Sequence, residues 1–304
     1  MSDQGAGLRR RDLLGGVGGG LALLGLSACA ARPDPTAQVS VSPSAVLTSP
    51  GPVSASPTPA IPVPNIDPNA VSARFEGRVP TEWGLTVTGV VTSLAVPTDA
   101  TGRERVALTL DACGGPHGSE VDSELLALLD RLAVPVTLFL NARWIEQNRG
   151  VAENLAANPL VQLGNHGTRH RPLSVSGREA YGIAGTASVA EAVDEVWGNH
   201  QVLTELCGRP PLWFRSGTAH YDEVAVALVE AVGETVIGFS TNADGGATFP
   251  AETVRAEALT VSAGGILIGH MNRPDSGTAA GLAVALPELL TQGVVFAHLD
   301  APGG

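Results

Sequence analysis

The chain has 304 residues, 44% of them hydrophobic and 16% charged, enough for one large domain or two small ones. Its formal net charge is −12 and all 18 basic residues are arginine, which argues against a nucleic-acid partner because phosphate binding rests on positive charge. The absence of lysine also excludes Schiff-base catalysis and a lysine-bearing P-loop.

Residues 1–28 read as an export signal. Arg9-Arg10-Arg11-Asp12-Leu13-Leu14 resembles a twin-arginine signal, and an apolar Gly/Leu/Ala run extends from there to Leu26. Leu26-Ser27-Ala28-Cys29 resembles a bacterial lipobox, whose cysteine is lipidated and becomes the mature N-terminus. The expectation is therefore a protein outside the cytoplasm, held to a membrane by a lipid on Cys29. The apolar run is too short and glycine-rich to span a bilayer comfortably. Residues 29–68 are Pro, Ser, Thr, Ala and Val with almost no charge, a composition that cannot bury enough apolar surface to offset its ordering entropy, and they read as a linker. Residues 69–103 flank the main domain, and the β-branched stretch 85–96 within them predicts a strand or hairpin.

From residue 104 to 304, short apolar runs alternate with helical patterns. Val106 to Leu110 predicts a strand, then a helix with Ser119 as its cap and Asp122 near its free amides, carrying the stripe Val121, Leu125, Leu128 and Leu132. Val136 to Leu140 predicts a second strand, 143–157 a helix, and 160–163 a short apolar strand. Ser188-Val189-Ala190-Glu191 has the form of a capping box and opens a long helix that buries Val189, Val193, Val196 and Leu203. Strands at 211–215, 235–239, 265–269 and 293–299 and helices at 222–232 and 279–291 complete the pattern. Such alternation implies a parallel α/β domain, an open sheet or a barrel, in which functional side chains gather at the carboxyl ends of the strands.

Five sets of polar residues fall at such ends: Asp111, His166 with His170, Arg215, Asp244 and His270. Singly, each has a plain structural explanation. Asp111 caps the next segment, Arg215 makes an ion pair, Asp244 before Gly245-Gly246 is a turn residue, and His270 is a satisfied core histidine. Together in one layer they point to chemistry. Two histidines four apart, on one side of a helical turn, would hold a single metal ion.

Order and spacing resemble the NodB-homology polysaccharide deacetylases, carbohydrate esterase family 4, over about residues 104–300. Thr109-Leu110-Asp111-Ala112 resembles the first motif, Thr-Phe-Asp-Asp, and His166-Gly167-Thr168-Arg169-His170 matches the second, His-(Ser/Thr)-x-x-His. Phe214-Arg215-Ser216-Gly217-Thr218 resembles the third, Asp244 stands where the fourth has its aspartate, and Ile266-Leu267-Ile268-Gly269-His270 resembles the fifth. The resemblance implies a distorted (β/α) barrel and metal-dependent removal of N-acetyl groups from a glycan, peptidoglycan or chitin-like. It implies Asp111 as base oriented by Arg215, His270 as acid oriented by Asp244, and His166 and His170 as ligands of a divalent metal, zinc foremost.

One departure stands out: the family's second motif-one aspartate, a metal ligand, is Ala112 here. Asp111 itself, a Cys113 thiolate, or extra waters would complete the site. With Cys29 lipidated, Cys113 and Cys207 are the two remaining thiols of an exported domain, and a disulfide between them is the expected use. His117, His200, His220 and His298 read as structural, with His117 and His220 near the mouth of the site. The rival expectations are a glycan-binding envelope protein that lost catalysis with the metal aspartate, and a hydrolase of another non-peptide C–N bond.

Overall fold

The structure is a computed structural model that describes residues 66–300. The export signal, Cys29 and nearly all of the linker lie outside the described residues. Chain folding starts slightly earlier than composition suggests. Helix α1 (Pro68–Phe75) is capped by Asp67, whose carboxylate accepts from the Asn69 amide at 2.9 Å.

Eight parallel strands form one curved sheet: β1 (Arg105–Ala112), β2 (Val136–Leu140), β3 (Val161–Asn165), β4 (Trp213–Phe214), β5 (Thr235–Val236), β6 (Thr241–Asn242), β7 (Ile266–His270) and β8 (Val295–Phe296). Their order is β5-β4-β3-β2-β1-β7-β6, and β8 pairs with the start of β1. The helices between them are α2 (Ser123–Leu132), α3 (Ala142–Gln147), α4 (Arg149–Ala157), α5 (Val189–Cys207), α6 (Glu223–Ala231), α7 (Ala251–Ala258) and α8 (Thr278–Thr291). This is the distorted (β/α) barrel that the family resemblance implies, one of the two forms that the alternation leaves open. Among the described residues, no helix is long and apolar enough to cross a membrane.

In place of the strand or hairpin expected over 85–96 there is an irregular stretch, 84–94. It makes isolated bridges across the seam between the two sheet edges. The Val91 amide donates to Val236 O (2.9 Å) and the Gly238 amide to Val91 O (2.8 Å), while the Leu94 amide donates to Gly264 O (2.7 Å). β-Branched residues suit this path because they pack on a pleated surface, yet no continuous partner strand runs beside them.

Several element ends differ from expectation for local reasons. Asp122, not Ser119, caps α2, accepting from the Leu125 amide at 2.9 Å, while the Ser119 hydroxyl donates to Gly115 O within the preceding turn. The helix expected over 143–157 is two helices broken at Asn148, whose side-chain amide donates to Ser119 O and Trp144 O. β5 stops at Val236 because the next two carbonyls, of Ile237 and Gly238, accept from the Arg215 guanidinium. The Ser188 cap of α5 holds as expected, its hydroxyl accepting from the Glu191 amide at 3.2 Å.

The strands bury both faces. Along β1 the even residues Val106, Leu108, Leu110 and Ala112 face the helices, packed with Leu125, Leu282 and Leu286. The odd residues Ala107, Thr109 and Asp111 face inward, and Ala107 joins Phe139, Trp213, Ile237 and Ile266 in the barrel interior. That alternation decides which side chains reach the site.

Candidate active site

The carboxyl ends of β1, β3, β4, β6 and β7 bring the five expected sets together around a cleft of about 640 Å³. Asp111, Cys113, His170 and His270 line it, with Arg143 and Tyr181 toward the mouth.

Arg215 has no solvent exposure, so each of its donors needs a protein acceptor. Nη1 donates to Asp111 Oδ1 (2.8 Å) and Thr109 Oγ1 (2.9 Å), Nε to Ile237 O (3.1 Å), and Nη2 to Gly238 O (2.9 Å). The guanidinium also lies over the Phe139 ring, 4.2 Å from its centroid. Burial alone would push the Asp111 carboxyl up, but Arg215, then His166 and His270, hold it below the usual carboxylate range.

The two histidines of 166–170 meet with ring centroids 4.9 Å apart, at an edge-to-face angle of 84°. They do so without a helical turn. Residues 166–170 form an irregular loop with positive φ at Gly167 (75°) and His170 (64°). His166 Nδ1 lies 2.9 Å from Arg215 O, which fixes the ring so that Nε2 points into the site. Glycines make room here. A side chain at Gly217 would collide with His170, and one at Gly167 with the Glu195 carboxylate.

Glu195 is a supporting residue that motif reading missed. Its buried carboxylate accepts from the Arg169 amide (3.0 Å) and the Arg171 amide (3.2 Å), clamping the loop that carries His170. Asn165 and Asn141 complete the clamp: Asn165 Oδ1 accepts from the Gly167 amide at 2.9 Å, and Asn141 Nδ2 donates to Gly167 O at 2.7 Å. The available signal was an acidic residue flanked by buried Ala192, Val196 and Asn199 on α5.

On the opposite wall, His270 Nδ1 is 3.0 Å from Asp244 Oδ1, leaving Nε2 toward the cleft. Asp244 also accepts from Thr278 Oγ1 (2.9 Å) and the Gly246 amide (3.1 Å), so both of its oxygens are satisfied. Burial would lower the His270 pKa, but the Asp244 carboxylate outweighs it and holds the imidazole well above its ordinary value. Thr278 is a second supporting residue that motif reading missed.

The expected disulfide does not form: Cys113 and Cys207 are both free. Because α5 runs back along the sheet, Cys207 at its end lies by Val161 and Trp213, where β3 and β4 begin. Cys113 lies by His166, where β3 ends. The five residues of β3 separate the two ends by roughly 16 Å, far beyond the ~7 Å that a disulfide spans between Cα atoms.

Asp111, the other expected third ligand, also stands beside His166. Its Oδ2 stands 3.7 Å from His166 Nε2, but Oδ1 is committed to Arg215. Among the described residues, the group whose donor atoms all lie within 4.8 Å of one another is Cys113, His166 and His170. His170 Nε2 is buried without a hydrogen-bond partner, so an unsatisfied donor atom is part of this group. Thiolate and imidazole are both zinc donors and three protein donors leave a position for water, so the group fits a zinc-like ion. Burial would raise the Cys113 thiol, but His170, His166 and His270 hold it well below the usual thiol range.

Comparison with known proteins meets this geometry at the family level. The family model described as polysaccharide deacetylase matches residues 98–237. The matched stretch spans just under half of the chain, which makes the chain similar to that family. The fold is that of solved carbohydrate esterase family 4 structures. A family 4 pseudoenzyme from Bacillus anthracis is similar at 19% identity and a TM-score of 0.53, over 64% of this chain and 64% of that one. The Bc1960 peptidoglycan N-acetylglucosamine deacetylase is similar at 20% and 0.56, over 69% and 90%. A family 4 carbohydrate esterase from Streptomyces lividans is similar at 18% and 0.54, over 66% and 95%. The chain thus spans just under two thirds of the pseudoenzyme's length, and at these identities the likeness carries the fold. No curated protein matches the chain. Asp244 and His270 of the cleft lie beyond the matched stretch.

Proposed function

We propose that this protein removes N-acetyl groups from an acetylated polysaccharide of the cell envelope or surroundings, peptidoglycan or a chitin-like glycan. One observation carries the reading: an Arg215-held carboxylate, Asp111, and an Asp244-held imidazole, His270, both line one cleft beside the Cys113, His166 and His170 donors. When bound by those donors, a divalent ion supplies polarisation of the amide carbonyl and a water of lowered pKa. Asp111, kept ionised by Arg215, takes the proton of the attacking water. His270, kept protonated by Asp244, gives a proton to the departing sugar amine. Water adds to the carbonyl carbon, the C–N bond breaks, and acetate and a free amine leave.

The test is metal content of the purified protein, followed by acetate release from N-acetylglucosamine oligomers and from peptidoglycan. Acetate release with bound metal is the expected result. Glycan binding without acetate release would make this a binding module, and release of amine from a non-sugar amide alone would make it a hydrolase of another C–N bond. The lipoprotein reading is a separate proposal with its own check. Cys29→Ala is expected to shift the protein from the membrane fraction to the soluble fraction.

A further inference from the structure

Ala112 looks like a lost metal ligand only while β1 is read as a string. In the fold, β1 runs regularly through Ala112, which pairs with Leu140 and is fully buried on the helix side. Ala112 carries no donor atom, and its methyl group packs in the cluster that holds Leu110, Leu125 and Leu140. The next inward position after Asp111 is Cys113, and it lines the cleft. Gly114 and Gly115 then turn the chain away with φ of 67° and 77°, and a side chain at Gly114 would meet the Trp144 backbone nitrogen at 2.7 Å.

Cys113 Sγ lies 3.8 Å from His166 Nε2. Ligands at zinc-like bond lengths in tetrahedral array are separated by roughly 3.3–3.6 Å, so the Cys113–His166 pair stands within tenths of an ångström of that spacing, and the whole group lies within 4.8 Å. His170 Nε2, buried and unpartnered, completes the set, and Cys207 is too remote to claim the thiol.

We infer that Cys113 is the third protein ligand of a Cys-His-His metal site, supplying from the next inward position of β1 the donor that Ala112 lacks. This rests on the metal site of the proposed function and deepens it. Asp111 is left free to act as base. A thiolate ligand favours zinc or cobalt over magnesium, manganese or calcium.

The test uses the full chain loaded with cobalt(II). The wild type is expected to show a sulfur-to-cobalt charge-transfer band in the near ultraviolet and to bind one ion per chain. Cys113→Ala is expected to lose the band and about 100-fold or more in zinc affinity, at or beyond the cost of losing an outer-sphere partner. Cys113→Asp is expected to recover metal without the band, and Cys207→Ala to keep both. Thermal unfolding monitored by circular dichroism shows that each variant is folded. Bound cobalt without the band, or unchanged zinc affinity in folded Cys113→Ala, overturns the inference. A wild type that binds no metal overturns the metal-dependent reading with it. The band without acetate release leaves the ligand in place and removes the deacetylase reading alone.

Discussion

Two buried histidine–carboxylate pairs serve this fold in different ways. His270 and Asp244 meet at 3.0 Å on the cleft wall, and His200 and Glu234 meet at 2.7 Å behind β3. Contact distance alone would make the second pair the stronger. Exposure separates them: His270 keeps 15% of its side chain open, His200 5%, and His200 is stacked on Trp197 with ring centroids 4.7 Å apart. The carboxylates differ as well. Asp244 has partners on both oxygens and lies below the usual carboxylate range, where His270, Thr278 and backbone amides outweigh burial. Glu234 keeps Oε2 unpartnered, and burial pushes it up to about 6 although His200 and Asn165 pull it down. The pair proposed to react differs from the enclosed one in its opening to the cleft and in a full set of donors on its carboxylate.

The largest expected effect falls on the cleft pair. His270→Asn is expected to lower turnover about 10²- to 10⁴-fold, the usual worth of a positioned acid, while metal content stays constant; acetate release and elemental analysis read the two. Full activity in that variant would end the acid assignment. Next comes the guanidinium that holds Asp111. Arg215→Ala leaves Asp111 buried and unpaired, and denaturant unfolding should register a loss of about 3–5 kcal/mol.

Asp244→Asn removes the anion that raises His270. His270 must hold its proton to act as acid, so activity falls as pH rises through its pKa. The alkaline limb of kcat/KM should therefore move to lower pH in Asp244→Asn, and stay in place in Glu234→Gln. The smallest effect belongs to the enclosed pair. A carboxyl raised in the folded state from its ordinary 4.5 to about 6 contributes stability that is fully present below 4.5 and lost as pH rises through 6. The shift corresponds to about 2 kcal/mol. The decline measured by denaturation between pH 4 and 7 should be shallower in Glu234→Gln.

Much of the site was legible before any coordinates. Asp111, His166, His170, Arg215, Asp244 and His270 could be read because each stands just past a short apolar run, and parallel strands bring their carboxyl-terminal neighbours to one rim. Glu195, Asn141 and Thr278 were not, since they support the loops from elements carrying no motif, and a buried polar residue on a helix looks like any other until its partner is known. Cys113 was visible but misassigned. Counting cysteines suggested a disulfide, whereas the period-two alternation along β1 already placed Cys113 on the same face as Asp111 and Ala112 on the other.

Local pattern therefore determined the alternation of elements, the parallel α/β class and most of the side chains that gather at the candidate site. Those depend on periodicities and turn chemistry within a few residues of each other. Tertiary structure alone decided that 84–94 closes the seam, that the histidines meet through left-handed loop residues, that Cys207 lies at the wrong end of the sheet, and that a thiol stands beside the two imidazoles. Apart from the histidine loop, whose shape is held by the distant Glu195, these are relations between residues tens of positions apart, set by how the strands order and which face each side chain takes, and no local propensity encodes them.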